Sequence, residues 1–390
     1  MRTKIAILAD TQLYKRLYGE ESARVDWYNA FKCAFSQIKE RAEDIAAVFI
    51  LGDVMESNEV GASAAYTLQS VLSDFSNTNI PVAMIMGNHD KEFNSDSTWI
   101  SVAKLSNPNV IHLSLDTPLE IPVENKIIRV YGVDYAPRDR ITQTLHNFSP
   151  KQEDGVENWL CLHQALKELA PHKFAWDVTS EQVPQTIDRV FLGHFHNMSE
   201  YTSLSGIPFI YPGAIETESF SQTEVPGFIL FDTTTNTYTH ISTQQREYIT
   251  YNTEGKLADE ILSELTELTQ QSFIKFNNRP VVRILYTPET YQEYLKVVDK
   301  IGSLTLKHFA IEVGNLSITD KDAIYTGNVS EAGTYQTKEG ILGALPDILT
   351  SLNIDTAEQE DLLKLISNPE TIQDIKGAKF SGAVYKKANV

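Results

Sequence analysis

Carboxylate, amide and imidazole side chains recur in this sequence where apolar runs stop. Ile5-Ala-Ile-Leu-Ala-Asp10 is followed by Thr11 and Gln12, and Val48-Phe-Ile-Leu-Gly-Asp53 repeats the pattern. Val82-Ala-Met-Ile-Met-Gly leads into Asn88, His89 and Asp90. Leu160-Cys-Leu-His163 and Val190-Phe-Leu-Gly-His194-Phe-His196 complete the series. Carboxylate, imidazole and amide oxygen together suit manganese, iron or zinc, and the lack of a cysteine at these run ends disfavours a purely structural zinc. One carboxylate can bridge two cations roughly 3.5–4 Å apart, and such a pair can hold a hydroxide in line with a phosphorus. Singly, each residue has a plainer reading. An Asp after an apolar run usually ends a strand or caps a helix, and a lone His is usually packed or solvated, as we read His112, His146, His172, His240 and His308. The ordered series is what points to a metal centre.

Short strands must position these groups. Through about residue 250, short apolar runs alternate with amphipathic stretches, an α/β pattern. Helical spacing of Trp27, Ala30, Phe31, Ala34, Phe35 and Ile38 predicts one helix, and Ala65, Leu68, Leu72 and Phe75 predict another. Functional groups of an open α/β sheet gather beyond the carboxyl ends of its strands, so the five run ends can share one crevice. Alternation lets His194 and His196 face it together while Phe195 turns away. Gly52, Gly87 and Gly193 directly precede candidate ligands, where a missing Cβ permits a tight turn.

Helical signals vanish from 200 to 250, and 227–231 and 238–242 read as antiparallel strands around a polar turn. A second α/β unit is expected from 251. It has a helix bearing Ile261, Leu262, Leu265 and Leu268, a strand over 280–286, and another helix around 288–302. Residues 327–337 are polar and glycine-bearing, a linker pattern. Two short helices follow, the second opening on the capping-box pair Thr356 and Gln359 and carrying Leu362, Leu363 and Ile366. The expected organisation is therefore 1–250, 251–326, a linker at 327–337 and a helical tail at 338–390.

Composition narrows the function class. With 390 residues, 42% hydrophobic and 22% charged, the chain reads as an ordinary globular protein. The apolar start is too short for a signal peptide, and no run approaches the ~20 residues of a membrane span. Cys33 and Cys161 sit in apolar patterns, as reduced core thiols of a cytoplasmic protein do. A net charge of −19 opposes an unaided grip on DNA, so a nucleic-acid substrate requires a local basic lining or a basic partner.

Asp10-Thr-Gln12, Gly52-Asp53, Gly87-Asn-His-Asp90, His163 and Gly193-His-Phe-His196 together resemble the calcineurin-like metallophosphoesterase signature, over roughly residues 1–200. The resemblance implies a two-sheet α/β sandwich flanked by helices. It implies two divalent metal ions per chain, manganese being expected and magnesium the alternative. Asp53 would bridge them, with Asp10, Gln12 and His196 completing one site and Asn88, His163 and His194 the other. His89 would serve the leaving oxygen, with Asp90 orienting it.

Leu162-His163-Gln164, the Ile210-Tyr-Pro-Gly-Ala214 run and the later Pro226-Gly-Phe-Ile-Leu-Phe231 run resemble the SbcD-type DNA repair nucleases, the last two as a strand pair closing the catalytic domain. The layout is similar to that of phage recombination endonuclease nuclease subunits. That likeness implies a small DNA-capping α/β domain, a tail that binds an ATPase, and a homodimer. It implies exo- or endonuclease action on DNA in repair and recombination, beside an SbcC-like ABC ATPase with a long coiled coil. The location would be the cytoplasm, or the host's if the chain is phage-encoded. Candidate DNA contacts are Lys15, Arg16, Lys91, Arg138 and Arg140. One departure stands out: the family's Asp-x-His reads Asp10-Thr-Gln12 here. Two other readings are a phosphodiesterase for nucleotides or other small phosphoesters, which the acidic charge allows, and a degenerate nuclease acting as a scaffold for the ATPase. Gln12 supports the scaffold and the retained His89 opposes it.

Overall fold

The computed structural model describes residues 2–15, 21–57, 61–90, 98–170, 176–220, 222 and 224–313. The linker at 327–337, the tail at 338–390, Arg16, Lys91 and His172 lie outside the described residues.

Two six-stranded sheets face each other. The first contains β1 (Lys4–Leu8), β2 (Ile45–Leu51), β3 (Val82–Ile85) and β4 (Val110–His112), all parallel. The second contains β5 (Leu119–Val123), β6 (Lys126–Val133), β7 (Val156–His163), β8 (Arg189–Gly193), β9 (Ser199–Thr202) and β10 (Pro208–Tyr211). Its order is β5-β6-β7-β8-β10-β9, with β6, β7, β8 and β10 parallel and the two edge strands antiparallel. β11 (Gly227–Asp232) and β12 (Thr237–Ser242) return to the first sheet, whose order is β12-β11-β1-β2-β3-β4.

The apolar runs are nearly unbroken because the first sheet is covered on both faces. Along β1 and β2, Ile5, Ile7, Ala47, Phe49 and Leu51 point between the sheets. Their neighbours Ala6, Leu8, Val48 and Ile50 point outward. There they meet α1 (Glu21–Lys39), α2 (Ala62–Ser76) and α3 (Trp99–Ser106). The second sheet's outer face packs α4 (Arg138–Asn147) through Ile141 and Leu145. Between the sheets the rings of Phe49, Trp159, Phe191 and Phe231 lie 5.2–6.4 Å apart. Burying each contributes roughly 1.5–3 kcal/mol.

A third sheet is parallel, in the order β13 (Tyr248–Asn252), β14 (Val281–Tyr286), β15 (Lys307–Glu312). With α5 (Ala258–Phe276), α6 (Pro288–Leu295) and α7 (Val298–Leu304) it builds its own core around Tyr251, Ile261, Leu265, Val282, Ile284 and Ile301. Leu262 and Leu268 are partly buried against that core.

Several expectations shift. β13 straddles the expected boundary at 250/251, since its pairing with β14 starts at Tyr248. The helix expected around 288–302 divides at Lys296 and Val297, where Val297 leaves helical geometry (φ −121°, ψ 0°) and Val297, Val298 and Ile301 all bury. In α2 the buried position is Ala64, with Ala65 only half-buried. The runs at 210–214 and 226–231 do not form a strand pair. β10 stays in the second sheet while β11 crosses to the first, and the Gly227 N–H donates to the Ala214 carbonyl at 3.0 Å. No described helix is long and apolar enough to cross a membrane.

Candidate metal centre

The parallel strands of both large sheets end at one edge. β1, β2 and β3 deliver Asp10, Gln12, Asp53 and Asn88 from one side, and β7 and β8 deliver His163, His194 and His196 from the other. Backbone bonds lock the first two loops together. Asp10 N–H donates to the Gly52 carbonyl at 3.1 Å and Gln12 N–H to the Asp53 carbonyl at 2.9 Å. Asp10 (φ 49°), Gln12 (φ 35°), Asp53 (φ 48°) and His194 (φ 103°) all hold left-handed backbone. Each such residue costs on the order of 1–3 kcal/mol and persists only where the surroundings enforce it. The glycine at 87 answers to crowding: a Cβ there would lie 1.9 Å from Asp53 Oδ1.

All seven candidate ligands come together, in two groups. In the first, Gln12 Nε2 lies 3.3 Å from His196 Nε2, which is 3.7 Å from Asp10 Oδ1. In the second, Asn88 Oδ1 lies 3.2 Å from His163 Nε2 and 3.1 Å from His194 Nδ1. Asp53 Oδ2 is 3.3 Å from His163 Nε2. Donor atoms of Asp10, Asp53 and His163 all lie within 4.8 Å of one another, joining the groups.

Three imidazoles are anchored through Nδ1, whose proton must point at an acceptor. His163 donates to the Leu51 carbonyl at 2.7 Å, His89 to the Glu56 carbonyl at 2.6 Å, and His196 to Glu218 Oε2. Nε2 of His163 and of His196 is thereby turned toward the carboxylates, the arrangement metal-binding histidines adopt. Gln12 Oε1 is buried with no hydrogen-bond partner, a hard oxygen that a cation would satisfy. These residues fit divalent cations.

The electrostatics match. Burial alone would push Asp53 up, but His163 and His89 bring it down to about 2. Burial likewise opposes charge on His163, yet Asp53 and Asp10 carry its pKa up to about 10. Burial and the neighbouring His163 push His194 down to about 4. A proton on His163 therefore balances the buried carboxylates when no cation does.

His89 sits beside this cluster, its side chain 37% exposed and Nε2 3.9 Å from Asp53 Oδ2. With Nδ1 committed to the Glu56 carbonyl, Nε2 is the ring nitrogen on the side of Asp53. Asp90 does not play the orienting part expected of it. Its carboxylate accepts from the N–H groups of Val54 (3.2 Å), Met55 (3.0 Å) and Gly87 (3.0 Å), stitching two loops, and the group that orients His89 is the Glu56 carbonyl. Burial and the charge of Asp53 raise Asp90 to about 6 against those three bonds.

Sequence reasoning missed Glu218, Glu56 and Tyr135, whose ring stacks on His194 at 6.2 Å between centroids. None ends an apolar run in a ligand-type residue, so no local signal marks them. Lys15, read as a DNA contact, is only 11% exposed at its side chain and pairs with Glu56 and Glu218. Arg138 lies flat on Trp176, 3.7 Å from the ring centroid, and Arg140 is exposed.

Residues 3–198, half of the chain, match the family model described as calcineurin-like phosphoesterase. Relatives include DNA double-strand break repair protein Mre11 of Sulfurisphaera tokodaii, 28% identical over 202 residues, which make up 50% of this chain and 49% of that protein. Mre11 of Saccharolobus solfataricus is 23% identical over 308 residues, 75% of this chain and 77% of that one. The match spans about half the length of the Sulfurisphaera protein and of its Sulfolobus acidocaldarius counterpart. Among solved structures, a dimetal phosphatase from Danio rerio matches 59% of this chain and 92% of its own at 16% identity and a TM-score of 0.39. Family membership implies divalent metal binding, for which Asp10, Asp53 and His163 are the core of the candidate site. The chain belongs to the calcineurin-like phosphoesterase family.

Proposed function

We propose that the chain is a metal-dependent DNA nuclease of repair and recombination that works as a homodimer beside an SbcC-like ABC ATPase. The observation that carries the reading is the placement of His89, an accessible imidazole against a buried cage of carboxylates and imidazoles. A purely structural metal site has no use for such a group. The similarity to Mre11 proteins supports DNA as the substrate, and in the Saccharolobus relative it reaches beyond the metal-bearing half of the chain.

Asp10, Gln12, Asp53 and His196 would hold one ion, and Asn88, His163, His194 and Asp53 would hold the other. Two divalent ions, manganese in preference to magnesium, supply an activated water and neutralise phosphate charge when bound. This chain's own residues do the rest. Glu56 sets the His89 ring so that Nε2 passes a proton to the leaving oxygen, and Asp90 keeps the two loops at a fixed spacing. The third sheet serves as the DNA-capping domain, and 338–390 is the ATPase-binding tail. With a net charge of −19, DNA is gripped chiefly by the partner, with Arg138 and Arg140 as local contacts.

The same charge is no obstacle to a second reading, a phosphodiesterase for nucleotides or other small phosphoesters. Incubating the purified chain with linear DNA and with a chromogenic phosphodiester, each with manganese and with chelator, separates the two. Manganese-dependent cutting of DNA supports the nuclease. Turnover of the small ester alone supports the alternative, and no turnover of either supports a scaffold.

A further inference from the structure

We propose that Glu218 is a positioning residue of the metal centre, which holds His196 for its ion and makes that hold depend on the seating of the third sheet. The inference rests on reading Asp10, Gln12, Asp53 and His196 as the ligands of one ion.

Glu218 Oε2 accepts the Nδ1 proton of His196 and lies 3.5 Å from Lys15 Nζ. The same ammonium is 3.0 Å from Glu56 Oε2, and Glu56 accepts from His89 through its backbone carbonyl. One cation thus ties the carboxylate behind His196 to the residue behind His89. The backbone around Glu218 is held as well. Its N–H donates to Gln222 Oε1 at 3.1 Å, and Gln222 Nε2 donates to the His196 carbonyl at 3.3 Å.

Two residues beyond Glu218, Phe220 reaches the third sheet. Its ring meets Tyr248 at 5.3 Å and Phe309 at 6.3 Å between centroids, both near edge-on, and the Arg283 guanidinium carbon sits 4.8 Å from its centroid. Tyr248, Arg283 and Phe309 come from β13, β14 and β15, so every strand of that sheet grips the segment that carries Glu218. A displacement of the sheet pulls on Phe220 and is felt two residues away at Glu218, and through it at His196.

A carboxylate on the far N–H of an imidazole fixes its tautomer and orientation and strengthens the opposite nitrogen as a donor. That help matters here because Gln12 offers only a neutral amide, which leaves His196 as the one imidazole donor of this group.

The test is a titration of manganese into the metal-free full-length chain, following free Mn²⁺ by electron paramagnetic resonance. Wild type should show two binding steps. Glu218→Gln, which keeps size and removes charge, should weaken one step about tenfold or more and leave the other in place. Phe220→Ala should weaken the same step to a smaller degree, and Phe220→Tyr should restore it. Two unchanged steps in Glu218→Gln, or two steps weakened alike, overturn the proposal, the latter because general loosening is not positioning. If wild type takes up no manganese, the metal-centre reading itself fails and this inference goes with it.

Discussion

Gln12 and His196 meet nitrogen to nitrogen: the amide Nε2 of Gln12 lies 3.3 Å from Nε2 of His196, while its Oε1 is buried without a partner. The amide N–H here donates to the imidazole lone pair that a cation would otherwise take. Turning the amide end for end places its oxygen where the nitrogen lies, so a cation can recruit both residues at once. A neutral amide is nonetheless a weaker donor to manganese than an imidazole.

Gln12→His should therefore lower the manganese concentration that gives half-maximal DNA cutting, with little change in plateau rate. A tenfold gain in affinity corresponds to about 1.4 kcal/mol, reasonable for one ligand. A titration that overlays wild type would show that Gln12 does not ligate.

His89→Ala tests the proton-exchange role separately from metal binding. Its Nδ1 is spent on the Glu56 carbonyl and its side chain is 37% exposed beside the cluster, with Nε2 3.9 Å from Asp53 Oδ2. The variant should keep its manganese yet cut at least ~10²-fold more slowly. Loss of manganese in the variant would instead make His89 a ligand.

Metal entry should release protons. In the metal-free chain burial would lower the pKa of His163, but Asp53 and Asp10 outweigh it and carry it up to about 10. A cation must displace that proton, so apparent affinity rises with pH, by up to tenfold per unit around neutrality. The linked stability has the opposite sign. A raised histidine pKa stabilises the metal-free fold fully below the ordinary value of 6.5 and loses that help as pH climbs through about 10. Calorimetry in buffers of different ionisation enthalpy should detect about one proton released per chain. Binding that releases none and ignores pH contradicts the assignment.

How legible was all this? The gathering of the seven candidate side chains at one edge was readable because each follows an apolar run, and the end of a strand dictates where the next side chains go. The helices on Trp27 to Ile38 and on Leu68 to Phe75 were readable for the same kind of reason, a period matched to a buried face. Glu218 was not, because it reaches His196 only after the chain has run through β10 and begun its crossing between the sheets. The family resemblance gave Asp90 the orienting part, whereas the turn aims its carboxylate at backbone N–H groups of two loops. The break at Lys296 and Val297 depends on how Val297 and Ile301 share one core, which spacing alone does not fix.

A buried ion pair joins the sandwich to the third sheet and predicts a stability effect far from the metal centre. Arg246 Nε lies 2.6 Å from Asp26 Oδ2 and its Nη2 3.2 Å from Oδ1, while Nη1 donates to the Arg279 carbonyl. Both side chains are almost fully buried, and burial already pushes the Asp26 carboxyl up against the pull of Arg246. Arg246→Met strands a buried carboxylate and should cost about 3–5 kcal/mol in chemical denaturation. Adding Asp26→Asn should recover part of that loss. A single-variant cost within about 0.5 kcal/mol of zero, as expected of a surface site, would show that the pair contributes little.

Sharing of the Asp53 carboxylate by two ions is tested by counting them. Metal analysis of the chain at saturating manganese should find two ions in wild type and none in Asp53→Ala, since both groups of ligands lose their common anion. One ion or none in wild type, or two retained without Asp53, would contradict it.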